Sequence, residues 1–259
     1  MRSLLRNLMR QVNDKYLRLF FNSYTYKNVY TRHIADAPNP NQGVGGMDER
    51  FVAESQLQLL VSNGLRPNHK VFEIGAGTGR LLVSLSEYLN GKDAEYLGIE
   101  IVPDLVSIAN SRIARFEASS NKFRVIETGD NETPKPNFEP DFVFAFSVFT
   151  HMEAEDIVLK LQQIRAIAKP TTLGLFTFLP LEHTFGRSCF NYEMGFDTDS
   201  RYRRVRNISF TKDMAVTLAE LGGWKVTSSF WGELEAPYVD GHAATNQSWL
   251  LVKPNFHSA

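Results

Sequence analysis

An acidic side chain and three glycines alternate along Val71-Phe-Glu-Ile-Gly-Ala-Gly-Thr-Gly79. Val71, Phe72 and Ile74 form a short apolar run of strand type. From Arg80 onward, Leu81, Leu82, Leu85 and Leu89 share one face of a helical pattern that Asn90-Gly91 ends. A strand that passes through glycines into a helix N-terminus makes a cradle: ligand atoms can reach the backbone, and the helix end offers free N–H groups. The spacing narrows the ligand. The dinucleotide pattern G-x-G-x-x-G would place its third glycine where this chain has Arg80. Glu73 would also repel a pyrophosphate, whereas it suits a ligand bearing a cationic amino group. A second acid, Glu100, ends the strand-like segment Tyr96-Leu-Gly-Ile-Glu-Ile101, and a carboxylate there can accept hydrogen bonds from both hydroxyls of a ribose.

In residues 73–79 the chain resembles the class I S-adenosylmethionine (SAM)-dependent methyltransferases, whose first motif is an acid, any residue, then G-x-G-x-G. The resemblance implies SAM as cofactor, held by Glu73, Gly75, Ala76, Gly77 and Gly79, with Glu100 on the ribose and Ile101 beside it. It also implies that Asp130, in Gly129-Asp-Asn131 after the apolar segment Phe123 to Ile126, accepts a hydrogen bond from the adenine amine, with Asn131 adjacent. Gly-Asp-Asn is equally ordinary turn chemistry. Phe146 and Ser147, at the end of a fourth strand Asp141 to Phe146, would border the cofactor, and the loop Ser147 to Met152 would lie under the methyl group.

That loop bears on the acceptor. Enzymes of this type that methylate base amines usually carry Asn/Asp-Pro-Pro-aromatic here, and this chain has Ser147-Val-Phe-Thr150. Carbon methylation of cytosine needs a cysteine after this strand, and the single cysteine, Cys189, lies far downstream. An oxygen acceptor needs a base, and histidine suits that work near neutral pH. His151 is nearest the expected methyl. His183 and His242 are more remote, Glu153 is a carboxylate alternative, and a lone histidine is more often structural. The reading is methyl transfer to an oxygen of a small metabolite or glycan, with no metal. Against it stands a non-catalytic SAM-fold module acting in an assembly, although Glu73, the three glycines and Glu100 form a complete set.

The elements that position these residues alternate between strand and helix. A helix runs from Glu153 to Ala168, a strand from Thr172 to Phe178, a helix capped by Thr211 reaches Leu221, and strands cover Lys225 to Trp231 and Ser248 to Val252. The alternation predicts an α/β three-layer sandwich. The resemblance, covering roughly residues 50–253, adds a Rossmann-like, mostly parallel seven-strand sheet with one antiparallel strand. With 259 residues and 43% apolar content the chain can bury a large core. A net charge of −1 gives no field for nucleic acid, and no apolar stretch is long enough to span a bilayer. One cysteine forms no internal disulfide, and no signal-peptide pattern is visible, so a cytoplasmic protein is expected.

Two segments stand apart. Residues 1–46 form an N-terminal extension whose Leu4, Leu5, Leu8, Val12, Tyr16, Leu19 and Phe20 make an apolar helical stripe, with Asn39 to Gly46 as linker or hinge; residues 47–259 form the SAM domain. Residues 1–32 carry a charge of +6 and the remainder −7. That contrast favours docking of the stripe on its own domain, or on a second copy as a homodimer, over an anionic membrane surface. Within the domain, residues 180–209 lack periodicity, are rich in aromatics and end in Arg201-Tyr-Arg-Arg-Val-Arg206. Such a segment suits an acceptor lid. SAM or S-adenosylhomocysteine (SAH) at a hundred times its dissociation constant is expected to stabilise the fold by ~2.7 kcal/mol and to raise the melting temperature by several degrees. NAD is expected to leave it unchanged, as a thermal-shift titration can show.

Overall fold

The computed structural model describes residues 25–44, 49–115, 122–232 and 247–256. The apolar stripe of residues 4–20 and His242 lie outside the described residues.

The described chain runs α1 (Tyr26–Asp36), α2 (Pro40–Gly43), α3 (Glu49–Ser62), β1 (Lys70–Ile74), α4 (Arg80–Tyr88), β2 (Glu95–Glu100), α5 (Pro103–Ile113), β3 (Phe123–Glu127) and β4 (Phe142–Ala145). A short 3-10 turn over Phe149–His151 leads to α6 (Ala154–Ile167), β5 (Leu173–Pro180), α7 (Thr184–Met194), α8 (Thr198–Tyr202), β6 (Ser209–Phe210), α9 (Lys212–Leu221), β7 (Trp224–Phe230) and β8 (Ser248–Pro254). The sheet order is β3-β2-β1-β4-β5-β8-β7, with β6 pairing outside that path on β5. β8 is antiparallel to both β5 and β7, and the other pairs are parallel. This is the α/β sandwich that the alternation predicts, with a two-residue strand added.

Period-two alternation sends side chains to both faces, and both are buried. Phe72, Ile74, Leu97, Ile99, Val143, Ala145, Phe176 and Phe178 face one way and meet Ile157, Leu161 and Ile164 of α6 and Ala215 and Leu218 of α9. Val71, Tyr96, Phe123, Phe142, Phe144 and Leu175 face the other and meet Leu60, Leu82, Leu85 and Ala109 from α3, α4 and α5. That double burial is why β4 is apolar at every position.

The register fixes the site. Ile74 pairs with both Ile99 and Ala145, so β1, β2 and β4 end together. The chain then leaves in opposite directions on either side of β1, and the crevice between β1 and β4 opens at their carboxyl ends.

Two sequence expectations change. Residues 180–209, which lack periodicity, contain α7 and α8. Only Gly186 and Glu193 of α7 are buried, and nothing of α8 is, so neither helix carries the apolar stripe by which helices are recognised. The expected linker contains one helical turn, Pro40–Gly43, capped by the Asn39 side chain on Gln42 N–H at 3.0 Å. In addition, α1 is bonded to the body. Its Tyr26 hydroxyl donates to Asp156 (2.8 Å) and accepts from Glu153 N–H (2.9 Å), and its Lys27 N–H donates to Asp130 (2.7 Å).

Trp224 anchors the far end of the sheet. It is fully buried, and its indole N–H donates to the Leu161 carbonyl at 2.9 Å. Trp224→Ala is expected to destabilise the fold by roughly 3–5 kcal/mol, read as a lower urea midpoint, while SAH affinity of the folded protein is retained because the site lies at the opposite strand ends.

Candidate active site

A cavity of about 550 Å³ occupies the crevice, within the range of small-molecule sites. Its floor is the turn between β1 and α4. Gly75 and Ala76 N–H both donate to the Ile99 carbonyl, at 2.9 and 3.0 Å, which folds the turn back over the end of β2. Gly77 sits at φ +56°, and a Cβ built there would meet nothing closer than Val44 Cγ1 at 4.0 Å. The backbone at Gly77 is thus bare towards the cavity, as a ligand touching the main chain requires.

Glu100 joins this turn to the next. Its carboxylate is buried and accepts from Gly77 N–H at 2.9 Å, from Ile101 N–H at 2.7 Å and from Val102 N–H at 3.0 Å. Burial raises its pKa, and the three amides oppose that rise. Two carboxylate oxygens offer about four lone-pair positions, so three amides leave capacity for a further donor from the cavity.

Glu73 is also buried and lines the cavity. Its position in β1 puts it on the face of Tyr96, whose hydroxyl donates to it. Burial pushes its pKa up to about 8, with the Glu100 charge adding to the rise and the Tyr96 hydrogen bond and Arg80 opposing it. Close to neutrality the carboxyl is therefore largely protonated until a cation enters beside it.

On the β4 side Phe146 and Ser147 reach the cavity. Ser147 holds φ +57°, which is sparsely populated for a non-glycine residue. It is fixed there by its N–H donating to Thr177 Oγ1 at 2.9 Å and by Gln247 Nε2 donating to its hydroxyl at 2.7 Å. The 3-10 turn then presents His151. Its Nδ1 lies 2.5 Å from the Arg206 carbonyl, which can only accept, so Nδ1 carries the proton and Nε2 is bare. Burial lowers its pKa and keeps the ring neutral. Tyr30 of α1 meets the ring edge-on, with centroids 5.7 Å apart.

Ten of the twelve residues expected from sequence line this one cavity: Glu73, Gly75, Ala76, Gly77, Glu100, Ile101, Asp130, Phe146, Ser147 and His151. Gly79 instead packs its backbone on Ala109 at the start of α4. Asn131 lies outside the wall, its carbonyl accepting from Gln163 at 2.7 Å. One oxygen of Asp130 is already taken by Lys27 N–H, so this turn binds α1 as well as facing the cavity. Three arginines that end the insertion are paired internally: Arg203 with Asp199, Arg204 with Glu193, and Arg206 with Glu153.

Sequence reasoning misses Tyr26, Tyr30, Gln56, Arg80 and Lys160, all of which line the cavity. Lys160 is the least expected. It is buried in α6, donates to the Glu132 carbonyl (2.9 Å) and Thr133 Oγ1 (3.2 Å), and is lowered by burial to a pKa of about 8. Its place one turn beyond Ile157, on the helix face turned towards the sheet, is the only signal for it. Among the described residues no group of three or more His, Cys, Asp or Glu side chains could hold a metal ion, and no helix is long and apolar enough to cross a membrane.

Residues 72–173 match the family model described as a methyltransferase domain. The matched segment runs from β1 to the start of β5 and is similar to a methyltransferase domain. Solved structures share the fold at low identity. The mitomycin 7-O-methyltransferase MmcR superposes with a TM-score of 0.63 at 14% identity, covering 87% of this chain and 60% of that one. The present chain therefore spans less than two thirds of the length of MmcR. The CcbJ methyltransferase from Streptomyces caelestis gives 0.60 at 13% identity, covering 89% and 98%. The magnesium protoporphyrin IX methyltransferase from Synechocystis PCC 6803 with bound SAH gives 0.57 at 16%, covering 93% and 100%. The bare backbone at Gly77 and the two buried acids fit SAM, which presents ribose hydroxyls and a cationic amino group.

Glu100→Ala is expected to weaken SAH binding about ten- to a hundred-fold by calorimetry, since it removes a charge-assisted acceptor and releases the Gly77 amide. Glu73 sets a pH dependence. With its folded pKa at about 8, above the ordinary 4.5, the folded chain keeps a proton that the unfolded chain has lost between those values. Stability from this group therefore falls as pH rises through that window. Glu73→Gln is expected to remove the fall, so that urea denaturation shows the variant gaining on the parent between about pH 5 and about pH 8.

Proposed function

We propose that this chain transfers the methyl group of SAM to an oxygen of a small metabolite or glycan, with His151 as the general base. The observation that carries the reading is the contact between His151 Nδ1 and the Arg206 carbonyl. The Arg206 carbonyl occupies Nδ1, the ring is neutral, and the unprotonated Nε2 belongs to a residue on the same cavity wall as the glycine turn. When bound, SAM supplies a sulfonium-linked methyl that moves in line to a nucleophile. The chain's own residues would divide the remaining work. Glu100 would accept from the ribose hydroxyls while holding the Gly77 amide. Glu73 would take up the cationic amino group and release its proton. Asp130 would accept from the adenine amine with the oxygen that Lys27 leaves free. Gly75, Ala76, Ile101, Phe146 and Ser147 would give the bound molecule its contact surface.

His151 Nε2 would take the proton of the acceptor hydroxyl as the oxygen–carbon bond forms, which avoids a protonated ether-like product. The acceptor would enter between α1 and the insertion, against Phe185, Leu179 and Val205. Those apolar walls exclude water and favour a flat or apolar acceptor face, while His33, Arg204 and Asn207 add polar contacts. MmcR is by its name an O-methyltransferase, which supports an oxygen acceptor here. The domain reading, with residues 1–46 as extension, 47–259 as catalytic domain and 180–209 as acceptor lid, is part of this proposal. A soluble, cytoplasmic setting is likewise part of it.

Screening SAM with panels of phenolic, alcoholic and glycan acceptors, with SAH formation as readout, tests the oxygen reading. Turnover confined to amines or thiols would overturn it. On the acceptor found, His151→Ala is expected to lower turnover by about 10²–10⁴ while SAH affinity stays close to that of the parent. Undiminished turnover would remove His151 from the base role.

A further inference from the structure

Residues 204–208 return from the insertion to β6 and run beside the His151 turn. They bond to it twice. Ile208 N–H donates to the Thr150 carbonyl at 2.7 Å, and the Arg206 carbonyl accepts from His151 Nδ1. The returning segment is fixed by a carboxylate that the proposed chemistry does not use. Glu193, on α7, is only 5% exposed. Its oxygens accept from Arg204 Nη1 at 2.9 and 2.8 Å, and one of them also accepts from Asn207 N–H at 3.0 Å. One buried acid thus grips the chain on both sides of Arg206. The Arg206 guanidinium completes the arrangement by pairing with Glu153, two residues beyond His151. A buried charge is costly unless it is fully paired, and here the pairing falls on Arg204 and Asn207, which lie on either side of the Arg206 carbonyl.

We propose that Glu193 and Arg206 are positioning residues that set the tautomer of His151, so that the base is competent only when the insertion is docked on the body. This rests on the reading of His151 as the base. Without the Arg206 carbonyl, either imidazole nitrogen can carry the proton, and Nε2–H cannot accept one. Sequence separation shows that the coupling is tertiary: Arg206 lies 55 residues from His151.

The groups acting on the imidazole come from several elements: His33 and Tyr30 from α1, Glu193 from α7 and the Arg206 carbonyl from the returning segment. Glu193 is in turn paired with Arg204, and the Arg206 side chain with Glu153. Burial is the main cause of the lowered pKa, and the Glu193 charge works against it. Neutralising Glu193 therefore separates two effects by sign. Loss of its charge alone lowers the His151 midpoint further, whereas loss of docking lets water in and raises it.

The test uses the full chain with labelled histidine, saturated with SAH and without acceptor, and follows His151 by two-bond proton–nitrogen correlation across a pH series. The parent is expected to show the Nδ1–H tautomer and to stay neutral through neutral pH. Arg206→Ala and Glu193→Gln are expected to give a mixture with Nε2–H and a midpoint that climbs towards the ordinary ~6.5. Arg206→Lys, which keeps a cation for Glu153, should restore Nδ1–H. Arg206 is partly exposed, so its variants retain a fold even if Glu193→Gln does not, and SAH affinity within about threefold of the parent checks this. A pure Nδ1–H tautomer with an unchanged or lower midpoint in the variants overturns the proposal. A parent protein that shows the tautomer but does not bind SAH instead overturns the methyltransferase reading and leaves the coupling standing.

Discussion

The site depends on one buried carboxylate reaching across two loops. Glu100 ends β2, yet it accepts from Gly77 in the turn after β1 and from Ile101 and Val102 in the turn before α5. Parallel strands that end together leave their loops side by side with unpaired amides, and a negative side chain at that edge satisfies three of them. The cost of burying the charge is offset by those three hydrogen bonds. The same contact holds the bare backbone of Gly77 towards the cavity, so the shape of the floor and the acceptor oxygens on it are set by one residue.

The opposite wall is organised by a different economy. Glu73 is buried with only a neutral phenol against it, and its carboxyl stays protonated close to neutrality. Arg80 is directed to the Val44 carbonyl at 2.8 Å, and its charge only partly opposes the rise. A cation placed beside such an acid favours its ionised form and lowers its pKa. The strained Ser147, the pinned His151 and the internally paired arginines show the same arrangement on the β4 side of the cavity: polar groups are held by the protein itself.

Residues 25–44 and the insertion are the parts through which the molecule can be particular. α1 is tied to the body by Tyr26 and Lys27, and its Tyr30 and His33 face the cavity. The insertion supplies Phe185, Arg204 and Asn207. Neither belongs to the strand–helix repeat, and both meet at the end where an acceptor would lie.

By itself the sequence determined the sandwich, the strand ends and most of the cavity floor. Those features follow from local rules: apolar alternation sets strand faces, glycine frees the turn, and parallel strands bring their carboxyl ends to one edge. Hence Glu73, Gly75, Gly77 and Glu100 could be placed in one site from their spacing together with the family resemblance that residues 73–79 carry. Tertiary structure decided what depends on distant partners. The helices of the insertion are legible only from their docking, because they bury almost nothing of their own. Lys160 looks like any helix cation until β3 and the loop after it close over it. The protonation of His151 rests on a carbonyl 55 residues away, and no pattern along the chain records a contact between two segments that meet only when the sheet has formed.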